Sequence, residues 1–253
     1  MGRIDFSVQG GIAVVVLDNP AKRNAVDAEM RAGLTEAYTR IQEDDDIRVA
    51  VIRGAGDKAF SSGGDIDAYQ ENSSFGPEGS GPPPIPRPWP IWKPFIAAIQ
   101  VYAVGGGFAL ALACDLRVVG RSARMGPTGL WRGAVQGAQQ SQRLTRLIGL
   151  SKALELLLLA RTVDGEEAAA IGLAQRVVAD DDVVDVAMEW AGTIAGYSPW
   201  AVARTKELAY QGQNMPLAEA FAWEADVALE GYRREDALEG FSAFTERRDP
   251  RFG

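Results

Sequence analysis

Two short glycine turns carry the strongest chemical signal in this chain. The first reads Phe60-Ser61-Ser62-Gly63-Gly64-Asp65-Ile66 and the second Val104-Gly105-Gly106-Gly107-Phe108. Each follows a β-rich run and opens a helical pattern. Glycine lets the main chain approach a ligand closely. The first N–H groups of a helix have no acceptor inside it, and the helix dipole adds positive potential there. Brought together, two such turns would give one developing oxyanion two N–H donors. Losing one donor of that kind typically costs about 10²–10³ in rate. Taken alone, a triple glycine is most often an ordinary tight turn. The rival phosphate loops fit badly, because the chain has no GxxxxGK[ST] and the triple glycine lacks the GxGxxG spacing.

Composition narrows the chemistry further. The 253 residues include no histidine. That excludes Ser-His-Asp and Cys-His catalysis and His-based metal sites. A proton must travel through a carboxylate, Lys, Tyr, bound water or the substrate itself. The net charge of -8 argues against a general nucleic-acid partner. Cys114 is the single cysteine, so no internal disulfide forms, in keeping with a reducing cytoplasm. No run approaches the ~20 apolar residues of a membrane span, and MGRIDFSVQG has no apolar signal core. A cytoplasmic protein without membrane association is expected.

The elements that must hold the two turns read as an alternation of strands and helices. Ile4 to Val8 and Ile12 to Leu17, around Gly10-Gly11, predict a hairpin. Asp27 caps a helix to about Gln42 with Met30, Leu34, Ala37, Tyr38 and Ile41 on one face. Ile47 to Ile52, Phe95 to Tyr102 and Leu116 to Val119 predict strands, and FALALAC predicts an apolar helix after the triple glycine. Helices follow at 139–148, 151–160, 165–171, 181–195, 199–211, 216–230 and 234–246. Between them Val163, Ile171 and Val177-Val178 form extended pieces. Residues 72–90 are rich in Pro, Gly and Ser and read as the body of a lid loop of about 70–92. The expectation is an α/β core with a helical C-terminal region.

The residues flanking the turns resemble a known family. DNPAKRNAVD, RVAVIRGAGDKAFSSGGDI, KPFIAAIQVYAVGGGFALALACDLRVV, QRLTRLIGLSKALELLLLARTVDGEEAAAIGLAQRVV and EGFSAFTERRDPRF match, in order, segments of the crotonase (enoyl-CoA hydratase/isomerase) superfamily. The resemblance covers essentially the whole chain. It implies an α/β crotonase-like spiral of ββα turns over 1–195 and a helical oligomerisation region over 196–253, assembled as a homotrimer or hexamer. It implies an acyl-CoA thioester as substrate, with coenzyme A part of that substrate and no permanently bound cofactor. It places oxyanion donors at Gly64 N–H and Gly106 N–H. It gives coenzyme A contacts at Lys22, Arg23, Ser62, Gly64, Ile66 and Tyr69. Phe241 and Phe244 lie near the ligand tail in the same comparison, or pack between helices.

Two positions depart from the family's pattern. Hydratases of the family carry one glutamate just after the triple glycine and another at the end of a Gly-Gln-Pro-Glu-like stretch. Here those places hold Ala109 and Gly129, and a third place, used for aspartate by some relatives, holds Gly137. Each lost acid or base is commonly worth about 10²–10⁴ in rate, so ordinary hydration is in doubt. Asp67, Glu71 or Glu78 could replace the carboxylates, although surface charge is the commoner role for such residues. A bound bicarbonate could do so instead, as in dihydroxynaphthoyl-CoA synthases, where Thr128-Gly129 finds a parallel but Pro127 replaces a glutamine. A decarboxylation or other lyase reaction would need no strong protein base. An acyl-CoA-binding protein without catalysis would need none at all. Thr128, Trp131, Gln136, Gln139 and Gln140 flank the region. Trp89, Trp92 and Trp131 could line a bulky acyl pocket, or simply pack. Asp115 reads as structural and Cys114 as a small core residue.

Overall fold

The protein is described by a computed structural model covering residues 2–67, 81, 83 and 91–253. The expected hairpin forms from β1 (Arg3–Gln9) and β2 (Ile12–Asp18), paired antiparallel. Beyond it every described strand pairing is parallel. Strands β3 (Val49–Gly54), β5 (Phe95–Ile99), β7 (Leu116–Gly120) and β9 (Arg176–Val178) extend a six-stranded sheet in the order β1-β2-β3-β5-β7-β9. Strands β4 (Ala59–Ser61), β6 (Tyr102–Val104) and β8 (Arg124–Gly126) make a second sheet of three. Each pass of the chain lays one long strand in the first sheet and one short strand in the second. That is the spiral of the crotonase fold.

The long strands are buried on both faces, which explains their unbroken apolar runs. Alternation sorts their side chains between two cores. Ala50, Ile52, Phe95, Ala97 and Ile99 join the larger core, with Met30, Leu34, Ala37, Tyr38 and Ile41 of α1 (Ala28–Glu43) and Phe108 and Leu110 to Cys114 on and just past α2 (Gly106–Ala113). Val49, Val51, Ile96 and Ala98 face the other way, onto Val183, Ala187, Ala191 and Ala195 of α6 (Val183–Ala195). Small residues four apart let α6 lie close on the sheet.

Helices α3 (Gln140–Ile148), α4 (Leu150–Leu158) and α5 (Gly165–Ala170) precede α6. Then α7 (Pro199–Gly212), α8 (Leu217–Tyr232) and α9 (Glu235–Glu246) complete the chain. Side chains cap several of them in the expected way. Asp27 accepts from Met30 N–H at 2.9 Å, and Ser198 accepts from Ala201 N–H at 3.2 Å ahead of Pro199. Asp115 ties α7 to the sheet: it accepts from Phe95 N–H at 2.7 Å and Tyr210 O–H at 2.9 Å, and pairs with Lys206 at 2.7 Å.

Ile171 is not extended but closes α5 in a turn at φ −92° and ψ 2°, and one expected strand is also corrected. Phe95 to Tyr102 is not continuous: it ends at Ile99 and resumes at Tyr102 in the other sheet. Val101 O turns to accept from Arg124 N–H at 2.8 Å, and the break lets the chain step between sheets. Strand β8 was not expected, and Ala59–Ser61 is a strand of its own. Among the described residues no helix is long and apolar enough to cross a membrane, and no three His, Cys, Asp or Glu cluster as a metal site.

Candidate active site

The first glycine turn leaves β4 and is held by the segment after the hairpin. Ser62 N–H donates to Arg23 O at 3.0 Å, Val26 N–H to Gly63 O at 2.7 Å, and Asp65 N–H to Val26 O at 3.0 Å. Asn24 is the hub of that segment. It is fully buried at a left-handed φ of 54°, which asparagine tolerates better than most residues. Its Nδ2 donates to Ala55 O at 3.0 Å and Ala59 O at 2.7 Å, while Asn24 O accepts from Ser61 Oγ at 2.8 Å. Ser61 Oγ also accepts from Gly63 N–H at 3.1 Å. The turn thus spends the N–H groups of Ser62, Gly63 and Asp65. Gly64 N–H has no acceptor among the described residues.

The second turn leaves β6. Gly105 sits at φ 55° and ψ −122°, a conformation open to glycine and costly for other residues. Its N–H donates to Gly126 O at 3.1 Å. Gly106 N–H, at the start of α2, has no acceptor among the described residues. The two turns lie main chain against main chain. A Cβ on Gly63 would stand 2.7 Å from Gly106 N, and one on Gly107 would collide with Ser61 O. Sequence reasoning found both turns but not why the sequence must be glycine there: each Cβ would fill the gap between them.

Lys22 is engaged by carboxylates. Its Nζ lies 2.7 Å from Asp65 and 3.0 Å from Asp67. The hydrogen bond to Asp65, and then that to Asp67, hold its pKa above the ordinary value. Asp67, a candidate for the missing base, has a side chain 72% exposed and bonded to Lys22. Arg23 stacks over the Tyr102 ring at 5.4 Å, Ser62 Oγ donates to Lys22 O at 3.1 Å, and Ile66 is exposed. Tyr69, Glu71, Glu78 and Trp89 lie outside the described residues.

The places of the two absent glutamates are occupied differently. Ala109 on α2 presents a buried methyl. Gly129 N–H donates to Gln136 Oε1 at 3.0 Å. A side chain at 129 would meet that same oxygen, 2.9 Å from its Cβ. Thr128, Gln136 and Gln140 are buried polar residues, and Thr128 Oγ1 lies 3.1 Å from the Cβ position of Gly105. Trp131 is exposed. Burial pushes the Cys114 thiol up to about 12.

A sequence model described as Enoyl-CoA hydratase/isomerase matches residues 7–253. The chain belongs to the enoyl-CoA hydratase/isomerase family. It is 39% identical over 254 residues to an (E)-benzylidenesuccinyl-CoA hydratase of Thauera aromatica, covering 98% of each chain. It is 35% identical over 255 residues to a carnitinyl-CoA dehydratase of Citrobacter koseri, covering 98% of this chain and 97% of the relative. A probable enoyl-CoA hydratase/isomerase from Mycobacterium abscessus superposes with a TM-score of 0.91 at 32% identity, over 100% of this chain and 99% of that one. As a member of this family, the protein is an acyl-CoA enzyme by descent, with its substrate presented as a coenzyme A thioester.

Proposed function

We propose that this enoyl-CoA hydratase/isomerase homologue binds an acyl-CoA thioester and holds its enolate oxygen with Gly64 N–H and Gly106 N–H. The observation that carries this reading is the backbone contact of Gly63 with Gly106, with a donor on each turn that has no acceptor among the described residues. Preorganised donors in such a place need no reorganisation when charge develops. Lys22, Arg23, Ser62, Gly64, Ile66 and Tyr69 form the coenzyme A site. Lys22 reaches its phosphates by exchanging Asp67, which is solvated, for the ligand. Arg23 needs no exchange, since a guanidinium stacked on a ring keeps its donors free.

The reaction is addition or removal of water next to the thioester. Relatives named a hydratase and a dehydratase favour this over decarboxylation and over a purely binding role. Hydration needs a group to take a proton from water and a source for the α-carbon. Ala109 and Gly129 supply neither. Asp67 is a solvated surface carboxylate, so a basic group of the substrate or a second water takes the proton of the attacking water, and solvent returns one to the α-carbon. A succinyl-type acyl group, as in the name of the Thauera relative, brings a carboxylate of its own.

The protein works in the cytoplasm as a homotrimer or hexamer. Leu217, Phe221, Tyr232, Leu238, Phe241 and Phe244 of the region 196–253 are large apolar side chains exposed in the single chain, as side chains covered by a subunit interface would be. Calorimetry with acetoacetyl-CoA, whose β-carbonyl favours the enolate, tests the site. Binding that weakens at least tenfold in Gly63→Ala supports it. Equal binding by the variant, at unchanged folding, would remove the oxyanion role.

A further inference from the structure

The turn carrying Gly129 contains a polar group that the fold leaves unsatisfied. Gln136 is only 6% exposed. Its Oε1 accepts from Gly129 N–H at 3.0 Å, and this bond fixes which end of the carboxamide is oxygen. The other end, Nε2, is shut off from solvent and has no partner among the described residues. Buried donors are nearly always paired, so this one calls for an acceptor.

Its surroundings tie it to the thioester site. The carboxamide fills the room a side chain at 129 would need, with Oε1 2.9 Å and Ala134 O 3.1 Å from the Gly129 Cβ position. The adjacent Thr128 packs its hydroxyl against Gly105 of the second glycine turn. The segment just beyond is strained, with Ala138 at φ 50° and Gln139 at φ 64°. Gly133 has nothing near its Cβ position, so the turn has room to yield as a ligand enters.

We propose that Gln136 determines specificity: its Nε2–H donates to a free carboxylate on the acyl chain, so that the site selects half-thioesters of dicarboxylic acids. This rests on the thioester reading above and names its substrate class. The absence of carboxylates at 109 and 129 is what makes such a substrate acceptable. A glutamate at either place would repel the incoming anion, whereas alanine, glycine and a neutral amide donor do not. A hydrogen bond to a charged group discriminates by about tenfold to a hundredfold.

The test compares succinyl-CoA with butyryl-CoA, equal in acyl carbon count and different in charge, by calorimetry on the full chain. The expected result is a preference for succinyl-CoA of about tenfold or more. Gln136→Glu keeps an oxygen for Gly129 N–H and removes the amide donor, and Gln136→Leu removes both ends. Both variants should lose the preference, with the ratio of succinyl-CoA to butyryl-CoA affinity as the readout and melting temperature reporting the fold. Equal affinities in the unaltered protein would mean that a buried water satisfies Nε2, and would overturn the proposal. So would a preference that survives both substitutions. Bicarbonate that raises butyryl-CoA affinity to the succinyl-CoA level would assign the subsite to a free anion and overturn it as stated. Failure of both thioesters to bind would instead sink the thioester site itself.

Discussion

Gly63 and Gly106 meet main chain to main chain: a single methyl on Gly63 would come within 2.7 Å of the Gly106 nitrogen. Gly63 also holds φ at 99°, where a side chain is strained regardless of space. Gly63→Ala should therefore spread the turns and misdirect the N–H groups of Gly64 and Gly106. Turnover on the preferred thioester should fall by about 10²-fold or more, the usual scale for a lost oxyanion donor. Steady-state kinetics beside a thermal melt separates this from general unfolding, because a variant that melts normally but works poorly has lost geometry.

Gly129 and Gln136 should behave as a coupled pair. Gly129→Ala alone forces a methyl against Oε1 and two carbonyl oxygens. It should destabilise by about 1–3 kcal/mol, as overpacking does. Adding Gln136→Ala opens the space, and the double variant should recover part of that loss. A double-mutant cycle by urea denaturation measures the coupling, and strict additivity would separate the two residues.

Asp67 and Lys22 make opposite predictions. Asp67→Asn should leave turnover within about twofold, since its carboxylate is solvated. A drop of the general-base scale, about 10²-fold, would put Asp67 back among the acid–base groups. Lys22→Met should weaken binding of the thioester and lessen its dependence on salt, which screens exposed charge. Calorimetry at low and high ionic strength reads both.

Cys114 should be inert in the folded chain. Its thiol is buried and pushed up to about 12, so almost no thiolate exists at neutral pH. A chromogenic disulfide reagent should titrate no thiol in the native protein and one after denaturation.

The C-terminal tail should respond to acid. Hydrogen bonds from Arg248, and then from Arg251 N–H, hold Glu239 down to about 2 from the ordinary 4.5. A lowered carboxyl pKa stabilises the fold in full above about 4.5, and that contribution fades as pH falls through about 2. Amide exchange at residues 248–251 should rise across this window, modestly because the groups are solvated. Glu239→Gln should flatten the pH dependence.

Much of this was legible in the sequence, and the limits are physical. Helix α1 could be read because Asp27 caps it locally and its apolar face repeats at helical spacing. The glycine turns stood out because glycine is conspicuous. The three-residue strands β4, β6 and β8 are too short to show a period, so the second sheet stayed hidden and Phe95 to Tyr102 looked continuous. Asn24 was overlooked because its partners, Ala55 and Ala59, are more than thirty residues away. Its signal was modest: an asparagine closing a proline turn, suited to a left-handed backbone. The pairing of Lys22 with Asp65 and Asp67 was not legible, because those carboxylates lie more than forty residues away and approach it only after folding. Gln136 stood among several polar candidates, and only its bond to Gly129 N–H sets it apart.

The donors Gly64 N–H and Gly106 N–H belong to the polypeptide backbone. Apart from proline, which carries no N–H, an exchange of one amino acid for another cannot delete them; it can only tilt them, as at Gly63. Side chains around them, such as those at 109, 129 and 136, can be rewritten one codon at a time while the electrostatic cradle persists. A scaffold of this kind lets the reaction change without first being dismantled.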